Sequence, residues 1–296
     1  MKKSSSIIRS ALGPASIRAF ELYHPNRLFE DRYALDFLPL FWRVILEIMR
    51  LPILGTTILA LRERQFPGVV GNLLCRTRFI DDMLSVALKE GLDQVVILGA
   101  GFDSRAYRIP NINGTQVFEV DHPATQARKE ERLQQILGNI PPHVTFVPID
   151  FDKEKLEDVM TTAGFQTGAK TFFIWEGVTQ YITAEAVDAT FRYISRFAAP
   201  GSGIVFTYIK QGIVEGSDRS EVDQKVVTFA KRLGMPWIFG IEPAQIDQFL
   251  AERGLELIEH VGASDYRARY LDLMGRQINI FEGERVVLAR IITSNQ

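Results

Sequence analysis

Gln94-Val95-Val96-Ile97-Leu98-Gly99-Ala100-Gly101-Phe102-Asp103-Ser104 is the stretch that decides the fold. A five-residue β-rich run feeds straight into Gly-Ala-Gly. Strands that are buried on both faces read as unbroken apolar runs, because alternation is needed only where one face meets water. Glycine lets backbone approach a ligand closely, and a helix starting just beyond would offer unpaired N–H donors. Gly-x-Gly alone is a weak signal, and a strand-to-helix turn with glycines needed only for geometry also explains it. The six-residue dinucleotide fingerprint would place a third glycine where Ser104 stands. Asp103 adds a negative charge that a diphosphate would avoid.

Downstream, similar runs recur at Gln116–Val120, Val144–Ile149, Thr171–Trp175, Gly203–Tyr208, Leu255–His260 and Arg285–Ile292, with helical stretches between them. Seven strands with helical crossovers predict an α/β fold, a doubly wound and mostly parallel sheet with helices on both faces. Residues 1–90 carry helical patterns and no strand, so they read as an N-terminal helical cap on a core spanning 91–296. A helical insertion is expected at about 217–250. In open α/β sheets ligands sit at the carboxyl ends of the strands, near the point where strand order reverses.

Acidic residues recur at those ends. Asp121 closes the second strand in FEVDHP, placed to accept hydrogen bonds from ribose hydroxyls. Glu119, two residues earlier, is read as turned toward the opposite face by strand alternation. Pro123 suits a first helical turn and His122 a helix entry. Asp150, followed by Phe151, either reads an adenine amine and packs its ring or caps a helix over 153–162. Glu176 ends the fourth strand in WEGVTQYI, where a half-buried carboxylate needs a cationic partner. Thr183 reads as the cap of the next helix. These features fit a nucleoside cofactor.

The ordered set VVILGAGFDSRAYRI, FEVDHP, FVPIDF and FIWEGVTQYI, with LFEDRYA (28–34) and CRTRFID (75–81), resembles the leucine carboxyl methyltransferases and their bacterial S-adenosylmethionine-dependent relatives. The resemblance spans roughly residues 17–296. It implies the class I methyltransferase sheet, with the last strand antiparallel, and S-adenosyl-L-methionine as cofactor, leaving S-adenosyl-L-homocysteine as product. It further implies that Gly99, Ala100 and Gly101 form the cofactor turn and that Asp121 holds the ribose. Asp150 and Phe151 would contact adenine, Glu176 would line the methionine end, and Arg76 would grip the cofactor carboxylate. Arg78 and Arg18 are weaker choices. The apolar stretch after Leu38 is unlike the protein-carboxylate enzymes.

A carboxylate acceptor is ionised near neutral pH and needs only positioning, for which Arg105, Arg108 and Lys210 are candidates. A phenol or enol would need a base, with Tyr181, Tyr208 and His122 as weak candidates. The leading reading is O-methylation of a carboxyl or hydroxyl group on a small molecule. An NAD(P)-dependent oxidoreductase and a non-catalytic S-adenosylmethionine-binding protein are the alternatives.

Composition narrows the partners. The chain has 296 residues and a net charge of −2, without the basic field that holds nucleic acid. One cysteine and four scattered histidines predict neither disulfides nor a metal site. The opening lacks the apolar core of a signal peptide, so a cytoplasmic setting is expected. Residues 37–66 are strongly apolar but interrupted by arginines and prolines. No transmembrane segment is expected, and contact with a membrane surface or a second copy is the remaining use of that stretch.

Overall fold

The computed structural model describes residues 2–49, 58, 60, 61, 63–150, 154–218 and 220–292. Seven strands form one sheet: β1 (Gln94–Leu98), β2 (Gln116–Asp121), β3 (Val144–Pro148), β4 (Thr171–Trp175), β5 (Gly203–Ile209), β6 (Leu255–Val261) and β7 (Glu284–Ile291). Their order is β3-β2-β1-β4-β5-β7-β6, parallel except for β7, which runs antiparallel to β5 and β6. Each strand lies within a residue or so of its sequence expectation. The winding reverses between β1 and β4, which places a crevice above Gly99.

Strand residues alternate between two packed faces. Val96, Leu98, Phe118, Phe173, Trp175 and Phe206 meet Val187, Phe191 and Ile194 of one helix and Leu250 of another. Val95, Ile97, Val117, Phe172, Ile174 and Val205 meet Cys75, Phe79, Ile80 and Leu84. The central strands are apolar on both faces because helices cover both.

The helices run in chain order as α1 (Lys2–Glu21), α2 (Arg32–Phe37), α3 (Leu40–Met49), α4 (Val69–Lys89) and the single turn α5 (Arg105–Arg108). After β2 come α6 (Pro123–Leu137), α7 (Leu156–Thr162), α8 (Ala184–Phe197), α9 (Gln211–Glu215), α10 (Glu221–Arg232), α11 (Ile246–Ala251) and α12 (Ala263–Tyr266). Their starts follow capping chemistry. The His122 ring accepts from Ala124 N at 3.1 Å ahead of Pro123, and Thr183 Oγ1 accepts from Ala186 N at 3.3 Å. The expected helix over 153–162 begins only at Leu156 with Lys155 as its N-cap, so Asp150 does not cap it.

α4 packs on the sheet itself, while α1, α2 and α3 lie over the end of β1 and against α6. Phe37 stacks on Phe102 with ring centroids 5.4 Å apart, beside buried Leu133. α3 is apolar on two sides. Trp42, Leu46 and Met49 face this packing, whereas Leu40, Phe41, Val44 and Ile48 are exposed. No helix among the described residues is long and apolar enough to cross a membrane.

Beneath α2 lies a fully buried ion pair, Lys129 to Glu119 at 2.6 Å. The ammonium also faces the rings of Phe37 and Tyr107, 5.8 and 5.6 Å away. Contrary to the sequence expectation, Glu119 shares a strand face with Asp121, two residues on, and it is the pair with Lys129 that takes up its carboxyl. Burial pushes its carboxyl up despite the lysine. Removing one member of a buried pair costs roughly 3–5 kcal/mol because the other charge is stranded. Lys129→Met should therefore lose stability of that order in urea denaturation at pH 7. The loss should shrink at lower pH as Glu119 protonates, and the double variant Lys129→Met/Glu119→Leu should recover most of it.

Candidate active site

The turn after β1 is built on close approach. Gly99 and Gly101 have φ of +68° and +48°. A Cβ on Gly99 would lie 2.3 Å from Val178 Cγ2. The glycines are therefore required by backbone conformation and, at Gly99, by the loop leaving β4. Gly99 N and Ala100 N both donate to Val120 O, at 2.8 and 3.0 Å, stitching the turn to β2. On the open side, a Cβ on Gly101 would meet Ala11 Cβ of α1 at 3.4 Å.

Asp121 stands at the end of β2 as expected. Its Oδ2 accepts from Gly101 N and its Oδ1 from His122 N at 2.5 Å. Burial raises its pKa, and the two N–H groups oppose the rise. His122 serves as helix entry. Asp150 is half-buried where the chain leaves β3, its N–H bonded to Glu154 Oε2 at 2.9 Å. Phe151 lies outside the described residues.

Glu176, just past β4, is held between two arginines. Arg76 of α4 donates from Nε to Oε1 at 2.8 Å, and Arg105 of α5 donates from Nη1 to Oε2 at 2.7 Å. Arg76 also places Nη1 on both oxygens of Glu284, at 2.6 and 2.8 Å. Arg105 reaches Asp81 Oδ1 at 2.8 Å and Asp103 Oδ2 at 2.5 Å. Arg108 forks onto Asp81 at 2.6 and 2.9 Å. Ser104 Oγ and Arg18 Nε bond to Asp31 Oδ2 at 2.7 and 2.9 Å, and Arg18 Nη2 bonds to Phe102 O. The fingerprint-breaking Ser104 therefore anchors the turn to α2. Against Gly177, a Cβ would meet Arg76 Nη2 at 3.1 Å, which keeps this position small.

The structure thus gathers Arg76, Gly99, Ala100, Gly101, Asp121 and Glu176 around one strand-end crevice, with Arg18, Arg105 and Arg108 in the same ionic network. Other sequence candidates lie apart from it. Arg78 pairs with Asp82 at 2.8 Å. Tyr208 is buried on the sheet face and bonded to His260 Nε2 at 2.9 Å. Lys210 follows β5, pairing with Ile241 in an isolated bridge. Tyr181 stays near the crevice, in the turn Thr179–Tyr181. Sequence reasoning missed Asp31, Asp81, Asp103 and Glu284 as partners in this network. Only the charged spacing inside CRTRFID hinted at Asp81.

Charge pairing lowers Asp103 and Glu176. Burial alone would raise Asp103, but Arg105 first, then Lys129 and Arg18, bring it down to about 2. Glu176 is likewise lowered, chiefly by Arg105 and Arg76 against the burial penalty. A carboxylate whose folded pKa lies below its unfolded value adds stability above the unfolded pKa and loses it as pH falls through the folded one. Asp103 should contribute on the order of 2 kcal/mol at neutral pH, lost between about pH 4 and pH 2. Asp103→Asn should flatten this acid limb in chemical denaturation, with the largest difference from the parent above pH 5.

A family model for leucine carboxyl methyltransferase matches residues 11–195. Among curated relatives, "Putative S-adenosyl-L-methionine-dependent methyltransferase YktD" of Bacillus subtilis is 34% identical over 210 residues, covering 71% of this chain and 69% of the relative. A Rhodococcus jostii protein of the same description is 34% identical over 224 residues, with coverage of 74% and 70%. The crystal structure of a "putative methyltransferase" from Thermobifida fusca superposes over 94% of both chains with a TM-score of 0.57 at 15% identity, which supports the fold. The chain belongs to the leucine carboxyl methyltransferase family and is an S-adenosylmethionine-dependent methyltransferase.

Proposed function

We propose that the chain methylates an oxygen, a carboxylate or a hydroxyl, on a small molecule. The carrying observation is the pair of carboxylates at the ends of β2 and β4, the two strands flanking β1: Asp121 and Glu176, joined through the Gly99–Gly101 turn and Arg105. On this reading ribose hydroxyls take the places at Asp121 now held by the Gly101 and His122 N–H groups. The cofactor's ammonium meets Glu176 and its carboxylate meets Arg76, while Asp150 and Phe151 lie toward the adenine.

The charge balance suits this cofactor. Arg18, Arg76, Arg105 and Arg108 face Asp31, Asp81, Asp103, Glu176 and Glu284 in the paired network. One negative charge is left over in this network and Asp121 adds a second, an excess that attracts a cofactor whose sulfonium, ammonium and carboxylate sum to one positive charge. A dinucleotide would bring its diphosphate to the same excess of negative charge, which disfavours the oxidoreductase reading.

The cofactor supplies an activated methyl group, so the chain must hold an acceptor oxygen in line with the S–CH3 bond. The oxygen lone pair forms the new bond, and the broken bond's electron pair goes to sulfur. The family description is itself a carboxyl methylation, which is transfer to oxygen. A carboxylate needs no base, and the two tyrosines make poor ones. Burial raises both Tyr181 and Tyr208. Residues 1–90 serve in this reading as the cap over the core of 91–296, and the insertion at about 217–250 closes the acceptor side.

Titration calorimetry with S-adenosylmethionine, S-adenosylhomocysteine and NAD should show saturable binding of the two sulfur nucleosides and none of NAD. Asp121→Ala should weaken nucleoside binding at least tenfold through loss of the ribose contacts, roughly 1.5–3 kcal/mol for hydrogen bonds to a charged group. Methyl-labelled cofactor with panels of carboxylic acids and phenols then tests the acceptor. Label released as methanol in base marks an ester, and label retained marks an ether. Transfer only to nitrogen acceptors, or binding without turnover on any panel, contradicts the proposal.

A further inference from the structure

The bonds of the ionic network at the crevice can be matched almost one to one. Arg18 pairs with Asp31 at 2.9 Å and Arg108 with Asp81 at 2.6 Å. Arg105 sets Nη1 on Asp103 at 2.5 Å. On β7, Glu284 offers both carboxylate oxygens to Arg76 Nη1, at 2.6 and 2.8 Å. Glu176 is the acid left without an arginine of its own. It takes second bonds from Arg76 and Arg105, each already engaged by another carboxylate. Its side chain is also the most exposed of these acids, at 14% against 11% for Asp103 and 8% or less for Asp31, Asp81 and Glu284.

The uncompensated charge of the network therefore falls on Glu176, at the crevice, and Glu284 is what puts it there. Without the Glu284 carboxylate, arginines and acids would balance, and Arg76 could turn its whole fork onto Glu176. Glu284 is buried on β7 and acts on the crevice through Arg76.

We propose that Glu284 is a positioning residue that makes the crevice prefer S-adenosylmethionine to its product, S-adenosylhomocysteine. The two ligands share adenine, ribose, ammonium and carboxylate. They differ by the methyl group on sulfur and the positive charge that comes with it. Methyl transfer removes that charge, because the electron pair of the broken bond stays on sulfur. An uncompensated carboxylate in the wall attracts the cationic cofactor and has no such hold on the neutral product. Whatever Glu284 does to the shared ammonium and carboxylate acts on both ligands alike and cancels in the ratio of their Kd values. The assignment rests on the cofactor reading above.

The test is titration calorimetry of the full chain at pH 7 with S-adenosylmethionine, S-adenosylhomocysteine and sinefungin, a stable analogue with an ammonium-bearing carbon in place of the sulfonium. Glu284→Gln removes the charge and keeps the shape. It should reduce the preference for the two cationic ligands over S-adenosylhomocysteine by about threefold to tenfold, the effect of one unit charge in a partly buried site. Arg76→Met should raise that preference. The double variant Arg76→Met/Glu284→Gln removes one charge of each sign and should return the parent's ratio, however much weaker every ligand binds. If Glu284→Gln does not fold, Arg76→Met against the double variant reads the same charge step. A residue that only held the fold together would weaken all three ligands alike. An unmoved ratio in the folded variants, or a double variant that does not restore it, would overturn the proposal alone. A parent chain that binds none of the three ligands would overturn the cofactor reading and the proposal with it.

Discussion

The Glu176 carboxylate shared between Arg76 and Arg105 is the interaction on which the rest of the site depends. It joins helix α4, the turn after β1 and the end of β4, three segments brought together only by the parallel sheet. Each arginine spends its remaining donors on other acids, Arg76 on Glu284 of β7 and Arg105 on Asp81 of α4 and Asp103. A buried charge without a partner is costly, so these links hold or fail together. Geometry at the crevice is consequently set by ion pairing as much as by the apolar layers below it.

Pairing within the chain has a consequence for ligands. Asp121 and Glu176, the acids best placed for a nucleoside and an amino-acid group, are both satisfied internally. Binding is then an exchange of partners rather than the filling of an open socket. Exchange lowers the net gain from each polar contact, since a hydrogen bond already made must be given up. Selectivity follows from the same fact. Only a ligand presenting hydroxyl donors at Asp121 and a cation at Glu176 compensates for what it displaces.

Much of the fold was legible in the sequence, for a reason visible in β1. Strands buried on both faces must be apolar throughout, and the helices between them announce their starts through Pro123 and Thr183. The strand-end acids Asp121 and Glu176 could also be read, because a strand end places a residue independently of distant segments. The network around them could not. Asp31 and Glu284 reach the crevice from the N-cap of α2 and from β7, and linear spacing carries no trace of such meetings; for Asp81 of α4 there was only the charged spacing of CRTRFID. Local rules misled at Asp150, where a capping signal was legible but the helix begins at Leu156 behind Lys155. Ser104 was read correctly as a departure from the dinucleotide turn, yet its bond to Asp31 was invisible until α2 was placed.

The central claim is that the crevice between β1 and β4 receives S-adenosylmethionine through Asp121 and Glu176. The most direct measurement is a crystal structure of the chain with S-adenosylhomocysteine. The account predicts the ribose hydroxyls on Asp121, displacing the Gly101 N–H, with the amino-acid end between Arg76 and Glu176. A nucleoside bound elsewhere, with Asp121 still on Gly101 and Glu176 still shared by the two arginines, would contradict it.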